Sequence, residues 1–228
     1  LERYEPQTIS LREEDWATSW QKYYQPISVG KKIYIVPEWM RGQDVPDGRV
    51  PLYLNPGLTF GTGSHASTQL CLEGVEAHTA PGRPVLDLGC GSGILSIAAL
   101  LLGADSAFAC DIDEKAVGVA YENAALNGVD RARYTVRAGD VVLDEKLRRE
   151  MGSGYDIVVA NIVADVIIAL APTAGRLMAP HGVFICSGII DDRSEEVRSK
   201  LEEAGFTIQE ANASEGWYSF VCRRADRQ

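Results

Sequence analysis

The sequence predicts an α/β fold, a doubly wound and mostly parallel seven-stranded sheet preceded by a small N-terminal linker and hairpin region. Three observations predict it. Apolar segments of strand and helix character alternate along most of the 228 residues. Residues 155–160 (YDIVVA) are almost all apolar, as expected of a parallel strand covered on both faces. Residues 85–113 run as strand, glycine loop, helix, strand and acid, the order of a ligand-binding βαβ unit.

The individual elements follow from local patterns. Asp113 is placed to cap a helix that ends at Asn127-Gly128. Pro172 is expected to kink a later helix, and residues 180–182 (PHG) are expected to form a turn before the next strand. The predicted strands are 85–88, 107–110, 134–138, 155–160, 183–186, 207–211 and 217–223, the last two being an antiparallel pair. The predicted helices are 69–77, 94–102, 114–126, 164–178 and 193–204.

The first 54 residues form a separate region in this prediction, and residues 55–228 form the main domain. A capping box at residues 10–13 opens a helix whose Trp16, Trp20 and Tyr23 share one apolar face. This face is expected to pack on the main domain; the alternative is a binding surface. Residues 27–36 alternate around Gly30-Lys31 and predict a hairpin.

Composition limits the class of protein. With 46% hydrophobic residues the chain can bury a full core, and no apolar run reaches the about 20 residues needed to span a bilayer. No signal peptide opens the sequence. The five cysteines are scattered without C-x-x-C spacing, and the three histidines lie in different segments. We therefore expect a reduced, cytoplasmic protein without a metal site.

The net charge of −10 argues against a nucleic-acid partner, because phosphate contacts require a basic surface. Lysines and arginines are dispersed, and the densest basic segment, 146–149, is flanked by three acidic residues. An acidic enzyme suits a basic partner. The alternative is that the acidity only aids solubility.

The glycine loop indicates the kind of ligand. Gly89, Gly91 and Gly93 let the backbone turn tightly and approach a ligand without an intervening Cβ. Dinucleotide sites use G-x-G-x-x-G and place a pyrophosphate on the helix N-terminus. Here the third glycine comes one position early, and Asp87 would repel a phosphate. Asp111, at the end of the second strand, is placed to accept hydrogen bonds from the two hydroxyls of a ribose.

The sequence pattern D-x-G-x-G-x-G of residues 87–93 resembles the first motif of class I methyltransferases, whose ligand is S-adenosylmethionine. That ligand has no phosphate and carries a sulfonium cation and an ammonium, which a nearby carboxylate suits. The alternative is a glycine-rich turn in an unrelated α/β domain. Cys90, inside the loop, is interpreted as a small filler rather than a nucleophile.

Four residues are expected to share one crevice. Gly89, Asp111, Asp140 and Asn161 each follow a predicted parallel strand, and ligands of such sheets bind outside the carboxyl ends of the strands. Methyltransferases that act on nitrogen often place Asn or Asp after the fourth strand, where it accepts a hydrogen bond from the nitrogen. Asn161 is therefore the predicted catalytic residue; the alternative is a helix N-cap. In many such enzymes this residue begins an N-P-P-Y motif. The segment 161–164 (NIVA) lacks the prolines and the aromatic residue of that motif, which disfavours amide and exocyclic-amine substrates.

Residues 55–68 (NPGLTFGTGSHAST) form the third motif. Its glycines and hydroxyls suit a loop that folds over a cofactor, the alternative being a plain surface loop. This segment, GCGSGIL, DID and NIV together resemble the ribosomal protein L11 methyltransferase family (PrmA), over residues 15–223. Asn55 replaces the family's Asp, and Ala66-Ser67 replace Pro-Thr, which leaves the shape of the loop open.

The resemblance implies a class I methyltransferase that uses S-adenosylmethionine, releases S-adenosylhomocysteine and methylates lysines and the N-terminal amine of ribosomal protein L11. It implies cofactor contacts from Thr68, Gly89, Asp111 and Asn161. The full set of expected cofactor-binding residues is Phe60, Thr62, Thr68, Asp87, Gly89, Gly91, Gly93, Asp111, Ile112, Asp140 and Asn161. His65 is the only histidine near the predicted site. Two rival functions remain: a methyltransferase of another protein, a nucleic acid or a small molecule, and a non-catalytic cofactor-binding module.

The family carries a substrate-recognition domain before the linker, and this sequence opens at Leu1 in what resembles the linker. We expect that domain to be removed or absent, and the fragment to bind cofactor but to methylate ribosomal protein L11 poorly, because a second contact raises the effective concentration of substrate. Catalytic efficiency is to be compared with that of a chain extended by its natural N-terminal sequence. Equal efficiencies would place recognition within these 228 residues.

Overall fold

The computed structural model describes residues 24–56 and 61–225. A seven-stranded sheet lies between two layers of helices, and a three-stranded sheet precedes it along the chain. The strands are β1 Ile27–Val29, β2 Ile33–Pro37, β3 Val50–Leu54, β4 Pro84–Leu88, β5 Ser106–Asp111, β6 Tyr134–Ala138, β7 Tyr155–Asn161, β8 Met178–Ile190, β9 Phe206–Ser214 and β10 Trp217–Arg224. The helices are α1 Ala66–His78, α2 Ile94–Leu101, α3 Glu114–Leu126, α4 Glu145–Met151, α5 Ala164–Leu177 and α6 Ser194–Glu203.

The order of strands in the large sheet is β6-β5-β4-β7-β8-β10-β9. Strands β4 to β8 are parallel, and β10 runs antiparallel to both β8 and β9. The chain moves from β4 outward to β5 and β6, then returns to the other side of β4 for β7 and β8. The predicted doubly wound, mostly parallel sheet and its closing antiparallel pair are therefore confirmed.

Alternation along the strands divides the core into two layers. Val85 of β4 belongs to a cluster with α1, α2 and α3, whereas Leu86 and Leu88 belong to a cluster with α4, α5 and α6. Successive strand residues point to opposite faces of the sheet. A strand that is buried on both faces must therefore be apolar at its odd-numbered and its even-numbered positions. Asp87 is two residues after Val85, so its side chain points to the same face of β4 and is a buried carboxylate in the first layer of the core.

Helix caps explain several boundaries. The Asp113 side chain accepts a hydrogen bond from Lys115 N, which confirms the predicted cap of α3. Asp144 does the same for α4, a helix that the sequence analysis did not predict. That helix has only 7 residues, two of them buried, so its apolar pattern is too short to recognise.

The prediction that residues 180–182 form a turn before the strand is wrong, because β8 already begins at Met178. Tyr155 pairs with Met178 and Ile157 with Val183, so two steps along β7 correspond to five along β8. Pro180 and the residues around it therefore form a bulge within the strand rather than a turn before it.

The predicted hairpin is confirmed, with Ile27 opposite Ile35 and Val29 opposite Ile33. Its turn is bonded from both sides: Glu76 of α1 accepts hydrogen bonds from the backbone N–H groups of Lys31 and Lys32, and Arg49 donates to the carbonyls of residues 29, 30 and 33. The unpredicted strand β3 pairs in parallel with β2. Residues 10–23, with the predicted capping box and aromatic face, lie outside the described residues.

The small sheet shares its core with the large one. Ile33 and Leu54 belong to the same apolar cluster as Leu72 of α1 and Ile97 of α2. The predicted division between residues 54 and 55 thus lies within one continuous core, and the division itself stays a prediction. No helix among the described residues is both long and apolar enough to cross a bilayer.

Candidate active site

One cavity of about 700 Å³ opens at the carboxyl ends of the parallel strands. Residues that follow β4, β5, β6 and β7 line it, and so do residues of α1, α5 and β10. The lining includes five of the predicted site residues: Gly89, Asp111, Ile112, Asp140 and Asn161. The predicted crevice beside the strand ends is where the sheet order reverses at β4, as expected of a doubly wound fold.

Gly89 lies at the floor of this cavity. The N–H groups of Gly89 and Cys90 both donate to the carbonyl of Cys110, at 2.8 and 3.0 Å, which fixes the loop to β5. Gly89 has φ of 77°, and a Cβ there would lie 2.6 Å from Cγ2 of Ile162. Glycine is thus required twice, for the left-handed backbone and for the approach of the segment after β7.

Asp111 holds the glycine loop and faces the cavity. Its Oδ2 accepts a hydrogen bond from Gly91 N at 2.8 Å, and its Oδ1 accepts one from Asp113 N at 3.0 Å. A carboxylate has about four acceptor positions. Each oxygen of Asp111 therefore keeps the capacity to accept one further hydrogen bond from a ligand.

Asp140 shapes the opposite wall. Its Oδ1 accepts hydrogen bonds from Val142 N at 2.8 Å and from Leu143 N at 3.3 Å, folding residues 140–143 into a compact turn. Nη1 of Arg148 donates to the carbonyls of Val141 and Val142, each at 2.7 Å, and holds the turn from behind. The apolar side chains of residues 141–143 thus line the cavity, while hydrogen bonds with Asp140 and Arg148 hold their backbone in place.

Exposed apolar side chains are concentrated at this cavity. Five large hydrophobic residues are exposed in the described part of the chain, and four of them line it: Ile112, Leu143, Val163 and Val166. Ile112 and Leu143 are 79% and 77% exposed. A contiguous exposed apolar surface is typical of a binding site, since single exposed hydrophobic residues are scattered elsewhere on protein surfaces.

Asn161 lies at the end of β7, and its Nδ2 donates to Oγ1 of Thr68 at 3.0 Å. Thr68 is fully buried in the first turn of α1, so its hydroxyl is a fixed partner. This bond assigns the amide of Asn161 its orientation and leaves Oδ1 as an acceptor. The N-cap of α5 is Val163 without a side-chain bond, so the alternative role of Asn161 as a helix cap is wrong.

An aromatic pair forms the rim next to Asn161. The ring of His65 packs edge-on against that of Trp217, with ring centroids 4.5 Å apart. Nδ1 of His65 is hydrogen-bonded to Oγ of Ser67 at 2.7 Å, and all three residues line the cavity. His65 also serves as the N-cap of α1, so its ring position is fixed by the backbone that it caps.

The electrostatic character of the cavity is acidic. Asp111, Asp140 and Asp165 line it, and the part of the chain that the structure describes contributes no lysine or arginine to the lining. Asp165 is 78% exposed at its side chain and pairs with Arg193 at 2.7 Å. Carboxylates around an apolar cavity favour a cationic ligand and disfavour an anionic one.

Asp87 lies behind the glycine loop rather than in the cavity lining. It is fully buried; its Oδ2 accepts hydrogen bonds from Ser96 N at 3.1 Å and Ser96 Oγ at 2.8 Å, while its Oδ1 has no partner among the described residues. Burial raises the pKa of Asp87 to about 6, against the lowering effect of the Ser96 hydrogen bonds. Burial likewise raises the pKa of the Cys90 thiol well above its usual value, which fits the prediction of a filler.

Other predicted cofactor residues also lie outside the lining. Gly91 bonds Asp111, and a Cβ at Gly93 would lie 2.7 Å from Oη of Tyr134, so Gly93 allows α2 to pack closely. Thr62 Oγ1 is hydrogen-bonded to Ser64 Oγ at 3.1 Å. Phe60 lies outside the described residues. Cofactor contact by any of the predicted residues, Thr68 included, stays a prediction.

Sequence reasoning missed several residues of the cavity: Val141, Val142, Leu143, Val163, Asp165, Val166, Gly188 and Trp217. The run Val141–Leu143 had a usable signal, because it places three apolar residues after a strand end without helix or strand periodicity. Trp217 had none, because its neighbour His65 is far away in the sequence and reaches it only through the insertion of β10 beside β8.

Comparisons with known proteins agree with this geometry. A family model described as "Ribosomal protein L11 methyltransferase (PrmA)" matches residues 1–225. A curated relative named ribosomal protein L11 methyltransferase, from Desulforamulus reducens, is 44% identical over 216 residues, which are 93% of this chain and 66% of that protein. The chain spans just under two thirds of the length of this relative and of the next two.

Solved structures are similar as well. The ribosomal protein L11 methylase from Lactobacillus delbrueckii subsp. bulgaricus has a TM-score of 0.80 and 33% identity, covering 89% of this chain and all of that one. A putative methyltransferase complexed with SAH has a TM-score of 0.61 at 15% identity, covering 70% of this chain and 50% of that one. The second likeness shows the shared fold alone.

The buried Asp87 predicts a pH-dependent stability. Its pKa is raised from 3.8 to about 6, so the folded state retains the proton that the unfolded state has lost, and stability falls as pH rises from about 4 to about 6. Asp87→Asn removes this titration while its carbonyl can still accept from Ser96. The variant should therefore gain up to about 3 kcal/mol relative to wild type between pH 4 and pH 7. Urea unfolding of both proteins at both pH values measures this difference, and an unchanged difference would contradict the prediction.

Proposed function

The chain belongs to the ribosomal protein L11 methyltransferase family, and on that premise we propose that it transfers methyl groups from S-adenosylmethionine to amines of ribosomal protein L11. The observation that carries the proposal is that Gly89, Asp111, Asp140 and Asn161 line the same acidic cavity. The amines are lysine side chains and the N-terminal amine. A location in the cytoplasm is part of the same proposal.

The residues present fit S-adenosylmethionine. Asp111 has acceptor capacity for the two ribose hydroxyls, while Ile112 and Leu143 offer exposed apolar sides for the adenine. Asp140 is next to this apolar wall and is proposed to accept from the exocyclic amine. Gly89 leaves the floor open where a side chain would collide with Ile162. The carboxylates suit a ligand with a sulfonium and an ammonium and no phosphate.

S-adenosylmethionine supplies an electrophilic methyl group whose leaving group requires no protonation. The protein has to position the amine in line with it, and positioning of this kind contributes about 7–11 kcal/mol in favourable cases. In this proposal, Oδ1 of Asn161 accepts a hydrogen bond from the amine, because Nδ2 is committed to Thr68. The lone pair of the nitrogen is then directed toward the methyl group.

The amine has to arrive without its proton. A lysine has an unperturbed pKa of about 10.4. The carboxylates of the cavity attract the ammonium from solution. Near Asn161 the apolar side chains of Val163 and Val166 disfavour the charged form, and the ammonium releases its proton to solvent before the transfer. His65 is hydrogen-bonded to Ser67 and packed against Trp217, so we propose that it shapes the rim and do not assign it the role of base.

The direct test is methyl transfer. The protein is incubated with S-adenosylmethionine that carries a labelled methyl group, together with whole ribosomal proteins, and the labelled band is identified. We expect label on ribosomal protein L11, at a low rate if a further recognition domain contributes. Label on another protein, on RNA or on a small molecule would favour the corresponding rival activity. Binding of cofactor without transfer to any of them would indicate a binding module.

Cofactor binding should depend on Asp111. Asp111→Ala removes a charged acceptor of the ribose hydroxyls, and such bonds contribute about 1.5–3 kcal/mol, so affinity for S-adenosylhomocysteine should fall by about 10- to 150-fold. Calorimetry measures the dissociation constant. Asp156→Ala is the matched control, because it also removes one negative charge but its carboxylate pairs with Arg83 away from the cavity lining. Equal affinities of wild type and Asp111→Ala would overturn the assignment.

Turnover should depend on Asn161 more than cofactor affinity does. Asn161→Ala should lower kcat by about a hundredfold, since misplacing a reactant by about 1 Å has an effect of that size. Thr68→Val, which removes the acceptor of Nδ2, should lower kcat in the same direction, and Thr68→Ser, which keeps a hydroxyl, should restore it. Steady-state kinetics separates kcat from KM. If only cofactor affinity changed in Asn161→Ala, the orienting role would be wrong.

A further inference from the structure

Two loops of the candidate active site meet at Ser92. Its Oγ donates to the carbonyl of Gly61 at 2.8 Å, so the segment that leads into α1 is bonded directly to the glycine loop. The contact is close: a Cβ on Gly61, whose φ is 101°, would lie 2.8 Å from Oγ of Ser92. Ser92 is only 4% exposed, so water does not compete easily for this bond.

Asn123 of α3 joins the same two segments from the other side. Its Oδ1 accepts from Asn55 N at 3.0 Å, and its Nδ2 donates to the carbonyl of Ser92 at 2.9 Å. Asn123 is fully buried, and burial makes an unmade hydrogen bond at either end costly. One side chain therefore connects the residue after β3 with the turn of the glycine loop.

We propose that Asn123 and Ser92 act as positioning residues, a loop clamp that fixes Asn55 and Gly61 to the glycine loop and so sets the cofactor-binding geometry. The inference rests on the proposed function and adds two residues that neither line the cavity nor belong to the predicted site. The clamp acts on both sides of the cavity. Gly61 is followed after three residues by His65 and then by Ser67 and Thr68, and Ser92 belongs to the loop that contains Gly89 and Gly91.

The clamp is expected to set the distance between the site of the methyl donor and the site of the amine that accepts the methyl group. Thr68 orients Asn161, the proposed amine ligand, whereas Gly89 and Asp111 are the proposed cofactor-binding residues. The clamp connects the segment before Thr68 to the loop after Gly89. Loosening it should therefore change the position of one group of residues relative to the other without removing any group that touches the reactants.

Asn127 provides a matched control on the same helix. One turn after Asn123, its Oδ1 accepts from Tyr53 N at 2.8 Å and its Nδ2 donates to Tyr53 O at 2.7 Å, as a neighbouring strand would. Asn127 thus fixes β3 to the C-terminal end of α3; its Nδ2 also donates to the carbonyl of Asn123 at 2.7 Å, but its side chain makes no hydrogen bond to the glycine loop. Truncating it tests the effect of a loosened small sheet alone.

The experiment compares wild type with Asn123→Ala, Ser92→Ala and Asn127→Ala at a temperature where all are folded. Hydrogen–deuterium exchange without ligand is measured for the peptides around residues 55–63 and 89–95. Calorimetry then gives the affinity for S-adenosylhomocysteine. We expect Asn123→Ala and Ser92→Ala to raise exchange in both peptides and to weaken binding about tenfold, which corresponds to about 1.4 kcal/mol. Asn127→Ala should raise exchange near Tyr53 and keep wild-type affinity.

The outcomes separate the clamp from the proposed function. Unchanged exchange in the glycine loop of both clamp variants would overturn the clamp, and so would an Asn127→Ala variant that weakens binding as much as Asn123→Ala. If Asn123→Ala does not fold, Ser92→Ala decides, because it breaks the Gly61 bond and keeps the Ser92 carbonyl. If wild type fails to bind S-adenosylhomocysteine, the proposed function fails, while the exchange measurements still decide whether the two loops are coupled.

Discussion

The reversal of strand order at β4 is the constraint on which the rest of the structure depends. Strand β5 lies on one side of β4 and β7 on the other, and the connections after them lead in opposite directions. The loops at the carboxyl ends of these strands therefore diverge and leave an opening. Gly89 turns the chain at the bottom of this opening, Asp111 faces it from β5 and Asn161 from β7. No side chain has to be displaced to create the cavity, because the topology keeps it open.

The opening is supported by polar groups that are buried at a cost. Asp87 enters the first layer of the core because its parity in β4 requires it, and Ser96 satisfies one of its oxygens. Oγ of Ser96 is also hydrogen-bonded to Oη of Tyr134 at 2.9 Å, which extends the network from β4 through α2 to β6. An apolar residue at position 87 would remove the cost of burying a carboxylate. The acid lies directly behind a loop proposed to bind a cationic cofactor, where a negative potential is useful.

Asparagine side chains replace a missing strand at the edge of the small sheet. The amides of Asn123 and Asn127 pair with the backbone of residues 53 and 55 as a fourth strand would, and the sheet is thereby joined to α3. An unpaired sheet edge invites association with other chains. Covering it with a helix that also holds the glycine loop gives residues 24–56 a part in the geometry of the site, although none of these described residues lines the cavity.

The sequence by itself determined the seven strands of the large sheet, the glycine loop, Asp111 and the position of Asn161 at the end of β7. These depend on periodicity, turn chemistry and spacing within about thirty residues, which are local properties of the chain. It also carried the family resemblance, because the upstream motif and the glycine loop are short contiguous segments.

Only the tertiary structure decided which side chains meet. Thr68 and Asn161 are 93 residues apart, and their hydrogen bond exists because α1 packs beside the end of β7. Trp217 reaches His65 because β10 is inserted between β8 and β9, and Asn123 reaches Asn55 across 68 residues because β3 lies against α3. No local pattern encodes such contacts, since they follow from the order of strands and the packing of helices on the sheet as a whole.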